Sequence, residues 1–350
     1  MPRPLGVGFL GAGPVTQAIH LPTLARIGEL FTVSHVTDIN ADVAAAVAAR
    51  VGARHSTSIE ALLDDSEVDV VAICSPHQFH ADQVIASCRA KKRAVLCEKP
   101  FAMTGEEASS IADVSAETGV PIVVGAMHTF DPGWRAAAMS WGDLPGRCHT
   151  IRSSIVLPPN PRFEDMATEV LARPDFPAPD ESDVEVRAGI VHAGVMGLAI
   201  HDLPLVRALL PRFDDLQVHA AIPLFPFGYR ITASAGGRRI ELHGAVTATW
   251  QLSWLFEAYS DDQALETTFT PSYVQAGSAT STLRTAVSGR TFGPATFNGY
   301  EGEWREIAAI VNEEAPAPDL SSLIDDLRFA LDLADKAADT VRSASREVAA

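Results

Sequence analysis

The feature that most constrains the fold is an alternation: through the first 125 residues, short apolar runs bounded by glycine, proline or acid change places with stretches of helical period. Leu5–Leu10 is the first run, and Gly11-Ala12-Gly13-Pro14-Val15-Thr16 leads from it into a helical pattern over residues 14–27. Gly28 closes that helix, and Phe31–Thr37 reads as a second strand ending at Asp38. The alanine-rich Ala41–Val51 stops at Gly52, and Thr57-Ser58-Ile59-Glu60 resembles a capping box. Strands are expected at 68–74, 94–97 and Ile122–Gly125, with helices over 80–90 and from Thr104 to Gly119. Such strands pair in parallel through right-handed crossovers, and ligands bind at their carboxyl ends.

The unusual residues fall at those ends: Gly11 and Gly13, Asp38, Ser75-Pro76, Glu98-Lys99-Pro100 and Met127-His128. Gly11 suits a tight strand-to-helix turn, and Gly13 lets a pyrophosphate approach the main chain. Pro14 and Val15 then open a helix whose unpaired N–H groups would face the phosphates. Thr16 replaces the usual third glycine, and the same residues also fit a turn that binds nothing. Asp38 can accept hydrogen bonds from adenosine ribose hydroxyls and would repel a 2′-phosphate. No Lys or Arg follows before Arg50, so NAD is expected rather than NADP; Asn40 alone can cap the next helix.

A chain of 350 residues exceeds one core, so two domains are expected. The charge of -17 argues against nucleic acid or an anionic membrane as the main partner. Cys74, Cys88, Cys97 and Cys148 have no C-x-x-C spacing and read as reduced thiols of a cytoplasmic protein. The first strand begins almost at once, without a leader pattern, and no apolar stretch reaches the length of a membrane span. The eleven histidines lack metal-ligand spacing, so no metal is expected.

The organisation changes near residue 130. Runs at 149–157, 216–224, 229–235, 239–249 and 264–270 predict a mostly antiparallel sheet, interrupted by a proline- and acid-rich loop over 158–183 and a helix over 195–210. Helices over 300–312 and 320–343 follow, the latter with Leu323, Leu327, Ala330, Leu331 and Ala334 toward a core. The expected class is α/β: an N-terminal Rossmann-type parallel sheet over 1–128, a C-terminal α+β domain with a large, mostly antiparallel sheet over 129–319, and a closing helix over 320–350 packed near the domain junction.

Pro100 removes a backbone donor and restricts Lys99 to extended conformations, setting the lysine at the mouth of the cleft. There it can hydrogen-bond a substrate oxygen and favour its alkoxide-like state; a surface lysine paired with Glu98 is the plainer alternative. His201 lies on an apolar helical face, where a satisfied core histidine is common, yet its ordinary pKa of about 6.5 suits proton exchange with an alcohol. Asp202, a quarter-turn away, is not expected to orient that ring.

Gly8-x-x-Gly11-x-Gly13, Ile19-His20-Leu21-Pro22, Ser75-Pro76 with His80, Glu98-Lys99-Pro100, His201-Asp202-Leu203 and the last helix together resemble the glucose-fructose oxidoreductase and inositol dehydrogenase family (Gfo/Idh/MocA) over essentially the whole chain. The resemblance implies a two-domain NAD(P)-dependent oxidoreductase of sugars, cyclitols or their derivatives, with the C-terminal sheet as substrate wall and as the interface of a homodimer or homotetramer. It matches Lys99 to the family's catalytic lysine and His201 to its catalytic histidine. Ser75, Pro76, His80, Glu98 and Lys99 join the cofactor residues, and His128, His192 and Asp202 the substrate side; Trp134, Trp250 and Trp254 offer walls for a sugar ring or simply core. Many members carry aspartate four residues before the histidine, where this chain has Gly197. Either Lys99 and His201 suffice, or Glu164, Asp165 or Asp202 compensates, or the chemistry is altered or lost. The functions left open are net alcohol oxidation or ketone reduction, transient use of a tightly bound NAD for elimination, epimerisation or glycoside cleavage, and a catalytically silent binding or regulatory protein.

Overall fold

The computed structural model describes residues 3–173, 178–210, 212–247, 252–275 and 277–349. It divides into two compact units: Met1–Met127, Phe163–Pro174 and Tyr300–Leu327 form one, and His128–Arg162, Asp175–Gly299 and Arg328–Ala350 the other.

The first unit is built on β1 (Leu5–Leu10), β2 (Phe31–Thr37), β3 (Arg54–Ser56), β4 (Val70–Ile73), β5 (Ala94–Glu98) and β6 (Ile122–Gly125), all parallel, in the order 3-2-1-4-5-6. Every residue of β1, β4, β5 and β6 is buried, which is why these strands read as unbroken apolar runs. The order reverses between β1 and β4, opening a crevice beyond their carboxyl ends. Four of the expected caps form: Asn40 accepts from the N–H groups of Asp42 and Val43, Thr104 from that of Glu107, and Gly52 and Gly119 end their helices in the left-handed region; but Ser58, not Thr57, caps Ile59–Leu63, accepting from the Ala61 N–H.

Two further details of this unit depart from the expected pattern. The helix over 14–27 is not uniform, because Thr16–His20 widens into a π-helical turn before Leu21–Arg26. Pro22 has no N–H to give the carbonyl one turn behind it, and its ring crowds that carbonyl. The other is β3, three residues long with no buried side chain, which leaves no apolar run to detect.

The second unit holds an eight-stranded sheet: β7 (Thr150–Leu157), β8 (Gln217–Pro223), β9 (Phe227–Ala235), β10 (Arg238–Val246), β11 (Ser253–Tyr259), β12 (Gln263–Thr268), β13 (Thr280–Thr285) and β14 (Gly289–Phe292), in the order 14-13-12-11-7-10-9-8. Its pairs are antiparallel except β7 with β10. Ile151, Ser153, Ile155 and Leu157 of β7, and Trp254, Phe256 and Ala258 of β11, alternate inward with period two. Strands β11, β13 and β14 were not expected, because Leu255 and Tyr259 blur the alternation of β11 while hydroxyls and arginines dominate the other two. Residues 248 and 249 of the expected fourth run lie outside the described residues.

The loop expected over 158–183 contains a helix, Pro161–Ala167. The helix expected over 195–210 is three pieces: the end of Val184–Gly197, a 3-10 turn Ala199–His201, and Leu203–Ala208. Leu198 leaves the helical line at φ −118°, and Pro204 can only begin a helix. The last two helices are Gly299–Val311 and Leu320–Ala349. Among the described residues no helix is long and apolar enough to cross a membrane, and all four cysteines are free.

Candidate active site

In the first unit, Gly11 has φ +96°, and a Cβ there would lie 2.7 Å from the Cys74 carbonyl oxygen and the Ser75 nitrogen. Only glycine lets the turn pass this close to the end of β4. A Cβ on Gly13 would meet nothing within 4 Å, so the outer side of the turn is open. The Ala12 N–H donates to Asp38 Oδ2 (2.8 Å) and the Asn40 N–H to Asp38 Oδ1 (2.9 Å), seating the carboxylate against the turn. Beside it Ile39 is 97 % exposed, an apolar surface that sequence reasoning passed over. Ser75 Oγ donates to Gln83 Oε1 at 2.7 Å. Buried His80 spans the carbonyls of Pro100 and Ser75, each at 2.8 Å, and so ties the ends of β4 and β5 together. An open glycine cradle, a helix start at Pro14-Val15 and a carboxylate at the end of β2 fit a dinucleotide.

At the end of β5, Glu98 is buried; its Oε1 lies 3.1 Å from His20 Nε2, and its Oε2 accepts from the Lys99 N–H at 3.2 Å. Trp304 Nε1 donates to His20 Nδ1 at 3.2 Å. An indole only donates, so Nδ1 accepts and Nε2 carries the proton given to Glu98. Burial disfavours a charged His20 ring and Cys74 and Glu98 more than offset it, yet the indole donor facing Nδ1 decides for the neutral ring. Burial pushes the Glu98 carboxyl up, but His20 and Lys99 outweigh it and hold it below the ordinary range. Burial likewise pushes the half-buried Lys99 ammonium below its usual value, against the pull of Glu98. Fully buried Glu303 has no hydrogen-bond partner for either carboxyl oxygen; burial raises its pKa well above the ordinary value, with the Glu98 carboxylate adding.

The second unit gathers a different cluster. His128, on the turn after β6, has Nδ1 2.7 Å from Asp202 Oδ1. Ser153 Oγ donates to Asp202 Oδ2 at 2.6 Å, and Trp254 Nε1 lies 3.0 and 3.1 Å from the two oxygens. The His128 ring stacks on Phe269 (centroids 3.6 Å, planes 12° apart) and meets Trp254 edge-on at 4.6 Å. His201 lies 6.3 Å from His128 and 5.5 Å from Trp254, centroid to centroid. The structure thus brings His128, Asp202 and His201 together. His192 stands apart from them in a surface pair with Asp335 (3.4 Å), and Trp134 is core, packed on Trp141 and Phe256. Trp250 lies outside the described residues.

A Cβ on Gly197 would touch Phe227 Cζ at 3.5 Å, ordinary contact. Glu164 and Asp165 are both engaged by Arg173, the former at 2.9 Å. Of the three acids named as stand-ins for a side chain at 197, Asp202 is the one with a hydrogen bond to a histidine among those described. Ser153 and the Trp254 indole were missed as its partners; a serine on the inward face of an apolar strand was the available signal.

Fold and site define a class, a dinucleotide-binding α/β protein with a second, sheet-based unit. Residues 5–126 match the family model described as oxidoreductase family, NAD-binding Rossmann fold. Inositol 2-dehydrogenase 3 of Saccharopolyspora erythraea is 38% identical over 130 residues, 37% of this chain and 38% of that protein. Levoglucosan dehydrogenase of Pseudarthrobacter phenanthrenivorans is 32% identical over 118 residues, 33% of this chain and 30% of that protein. The aligned stretches therefore span only 38% and 30% of these two relatives. The UDP-N-acetylglucosamine 3-dehydrogenase of Acidithiobacillus ferrooxidans shares the fold with TM-score 0.74 and 19% identity, over 97% of this chain and 99% of its own. A 3-ketoreductase from Actinomadura kijaniata, solved with NADP and TDP-benzene, does so with TM-score 0.69 and 19% identity, over 97% of each chain.

Proposed function

We propose that the protein is a nicotinamide-dependent oxidoreductase acting between a secondary alcohol and the ketone of a sugar, cyclitol or sugar derivative. The observation that carries this reading is the placement of Lys99, backed by buried Glu98, at a strand end of the same unit that holds the open glycine turn and Asp38. The main chain of Gly11, Gly13, Pro14 and Val15 would hold the pyrophosphate, Asp38 and Ile39 the adenosine, and Ser75, Pro76, Glu98 and Lys99 the nicotinamide side, with His80 fixing the loops. Asp38 favours NAD, and Arg50, engaged by Gln17 Oε1 (3.2 Å) and the Glu169 carbonyl (2.8 Å), is not aimed at a 2′-phosphate. Bound there, the oxidised cofactor supplies a hydride acceptor. Lys99, its proton loosened by burial, hydrogen-bonds the substrate oxygen, and His201 is the imidazole that the family resemblance singles out for proton exchange with the hydroxyl.

The test is turnover of a polyol panel with NAD and with NADP, followed by appearance of reduced cofactor. Lys99→Ala and His201→Ala are expected to lose nearly all activity, and equal turnover by wild type and both variants overturns the assignment. Gly197 favours a second reading, a silent or non-redox family member, which predicts cofactor binding with no accumulation of reduced cofactor on any polyol. Assembly into a homodimer or homotetramer through the eight-stranded sheet, in the cytoplasm, completes the proposal and is checked by sedimentation.

A further inference from the structure

His201 has no acid one helical turn before it, because residue 197 is glycine. The same unit holds a second imidazole, His128, hydrogen-bonded to a buried carboxylate. We propose that His128, positioned by Asp202, is the base that keeps the substrate hydroxyl proton, with His201 as the second imidazole on the same oxygen; this rests on the oxidoreductase reading above.

The hydrogen bonds determine which nitrogen of His128 can act. Asp202 is 1 % exposed, and its oxygens face the Ser153 hydroxyl, the Trp254 indole N–H and His128 Nδ1. Serine and indole can both give their hydrogens to the carboxylate, and at 2.7 Å the third group is a donor too, so the proton of a neutral His128 ring sits on Nδ1. Nε2 is then the nitrogen with a lone pair. Phe269 beneath the ring and Trp254 at its edge fix its plane. A base oriented on its far side by a buried carboxylate is the arrangement that activates hydroxyls in nucleophilic and acid–base catalysis.

The spacing of the rings fits one shared oxygen. Placing an oxygen about 2.8 Å from one nitrogen of each ring, the ordinary hydrogen-bond length, turns the 6.3 Å centroid separation into a roughly tetrahedral angle at that oxygen. In the oxidation direction the O–H bond breaks and its proton forms an N–H bond at Nε2. The carbon–oxygen double bond forms as the hydride on the same carbon leaves for the oxidised nicotinamide cofactor named above. Asp202 offsets the positive charge gained by the ring, and the reverse steps return the proton.

The test combines a reading of the ring with kinetics on the full chain. Nitrogen-15 NMR of labelled histidine should show His128 as the Nδ1–H form, a preference weakened in Asp202→Asn. His128→Ala should bind NAD as wild type does but lose about 100-fold or more in kcat, within the range of general-base effects, with part restored by added imidazole and more by more basic imidazoles. Asp202→Asn should lower kcat with little change in KM. An Nε2–H form in the wild type overturns the proposal whatever the turnover. So does an unchanged kcat in His128→Ala, or a loss that imidazole does not relieve. A wild type with the expected ring form that turns over no polyol with either cofactor overturns the oxidoreductase reading itself.

Discussion

The main-chain N–H of Ala12 donates to Oδ2 of Asp38 at 2.8 Å, joining the glycine turn after β1 to the carboxylate that ends β2. One side chain thus fixes the turn and presents an acid where an adenosine ribose would lie. Replacing Asp38 with Ala should raise the KM for NAD about tenfold or more, the scale of one or two hydrogen bonds to a charged group. Asp38→Ser with Ile39→Arg should move the preference toward NADP. Initial rates with both cofactors check this, and an unchanged NAD/NADP ratio in the double variant contradicts it.

The two glycines of the turn should separate stability from binding. Gly11→Ala places a Cβ 2.7 Å from backbone at φ +96° and should cost about 1–3 kcal/mol of stability along with cofactor binding. Gly13→Ala, with open space around its Cβ, should leave stability within about 0.5 kcal/mol while weakening the cofactor. Thermal unfolding and cofactor titration of the two proteins give the comparison.

Glu98 raises the Lys99 pKa while burial lowers it further. If the ammonium form is the active one, activity falls as pH rises through that pKa. Glu98→Gln removes the opposing pull, so the alkaline limb of the pH–rate profile should move to lower pH. A limb that moves upward contradicts the coupling.

Glu303 is a carboxyl whose pKa in the folded chain is raised well above 4.5. The folded state keeps a proton that the unfolded chain releases above that value, so stability falls as pH rises from about 4.5 toward the folded pKa. Glu303→Gln removes this dependence and should raise Tm by a few degrees at pH 8, and less at pH 5. Calorimetry at the two pH values checks the sign.

A side chain at 197 has room, since its Cβ would touch Phe227 at 3.5 Å. Gly197→Asp should fold with a loss of no more than about 1 kcal/mol. It should also return part of the turnover to His128→Ala, by restoring an acid beside His201. Identical kcat values for His128→Ala with and without it would contradict this.

The parallel sheet was legible because β1, β4, β5 and β6 are buried along their whole length and the strand ends carry a glycine, an acid or a proline close by. The antiparallel sheet was read in part: β7 to β10 and β12 show their periods, whereas the outward face of β11 mixes apolar with polar residues, and hydroxyls and arginines dominate β13 and β14. The break around Leu198 was hidden for a related reason, since apolar residues continue through it and only Pro204 marks a new start.

What the sequence determined by itself is written in neighbouring residues: the alternation of strand and helix, the glycine turn with Asp38 beyond it, and Glu98-Lys99-Pro100 at a strand end. Local backbone preference and the period of burial act within a few residues and need no distant partner. Tertiary structure alone decided that Asp202 meets His128, 74 residues away, and that Trp304, 284 residues from His20, sets which nitrogen of that ring faces Glu98. Those pairings depend on which donors packing brings to a buried acceptor, and the shifts at Lys99 and Glu303 depend on the water that the same packing removes.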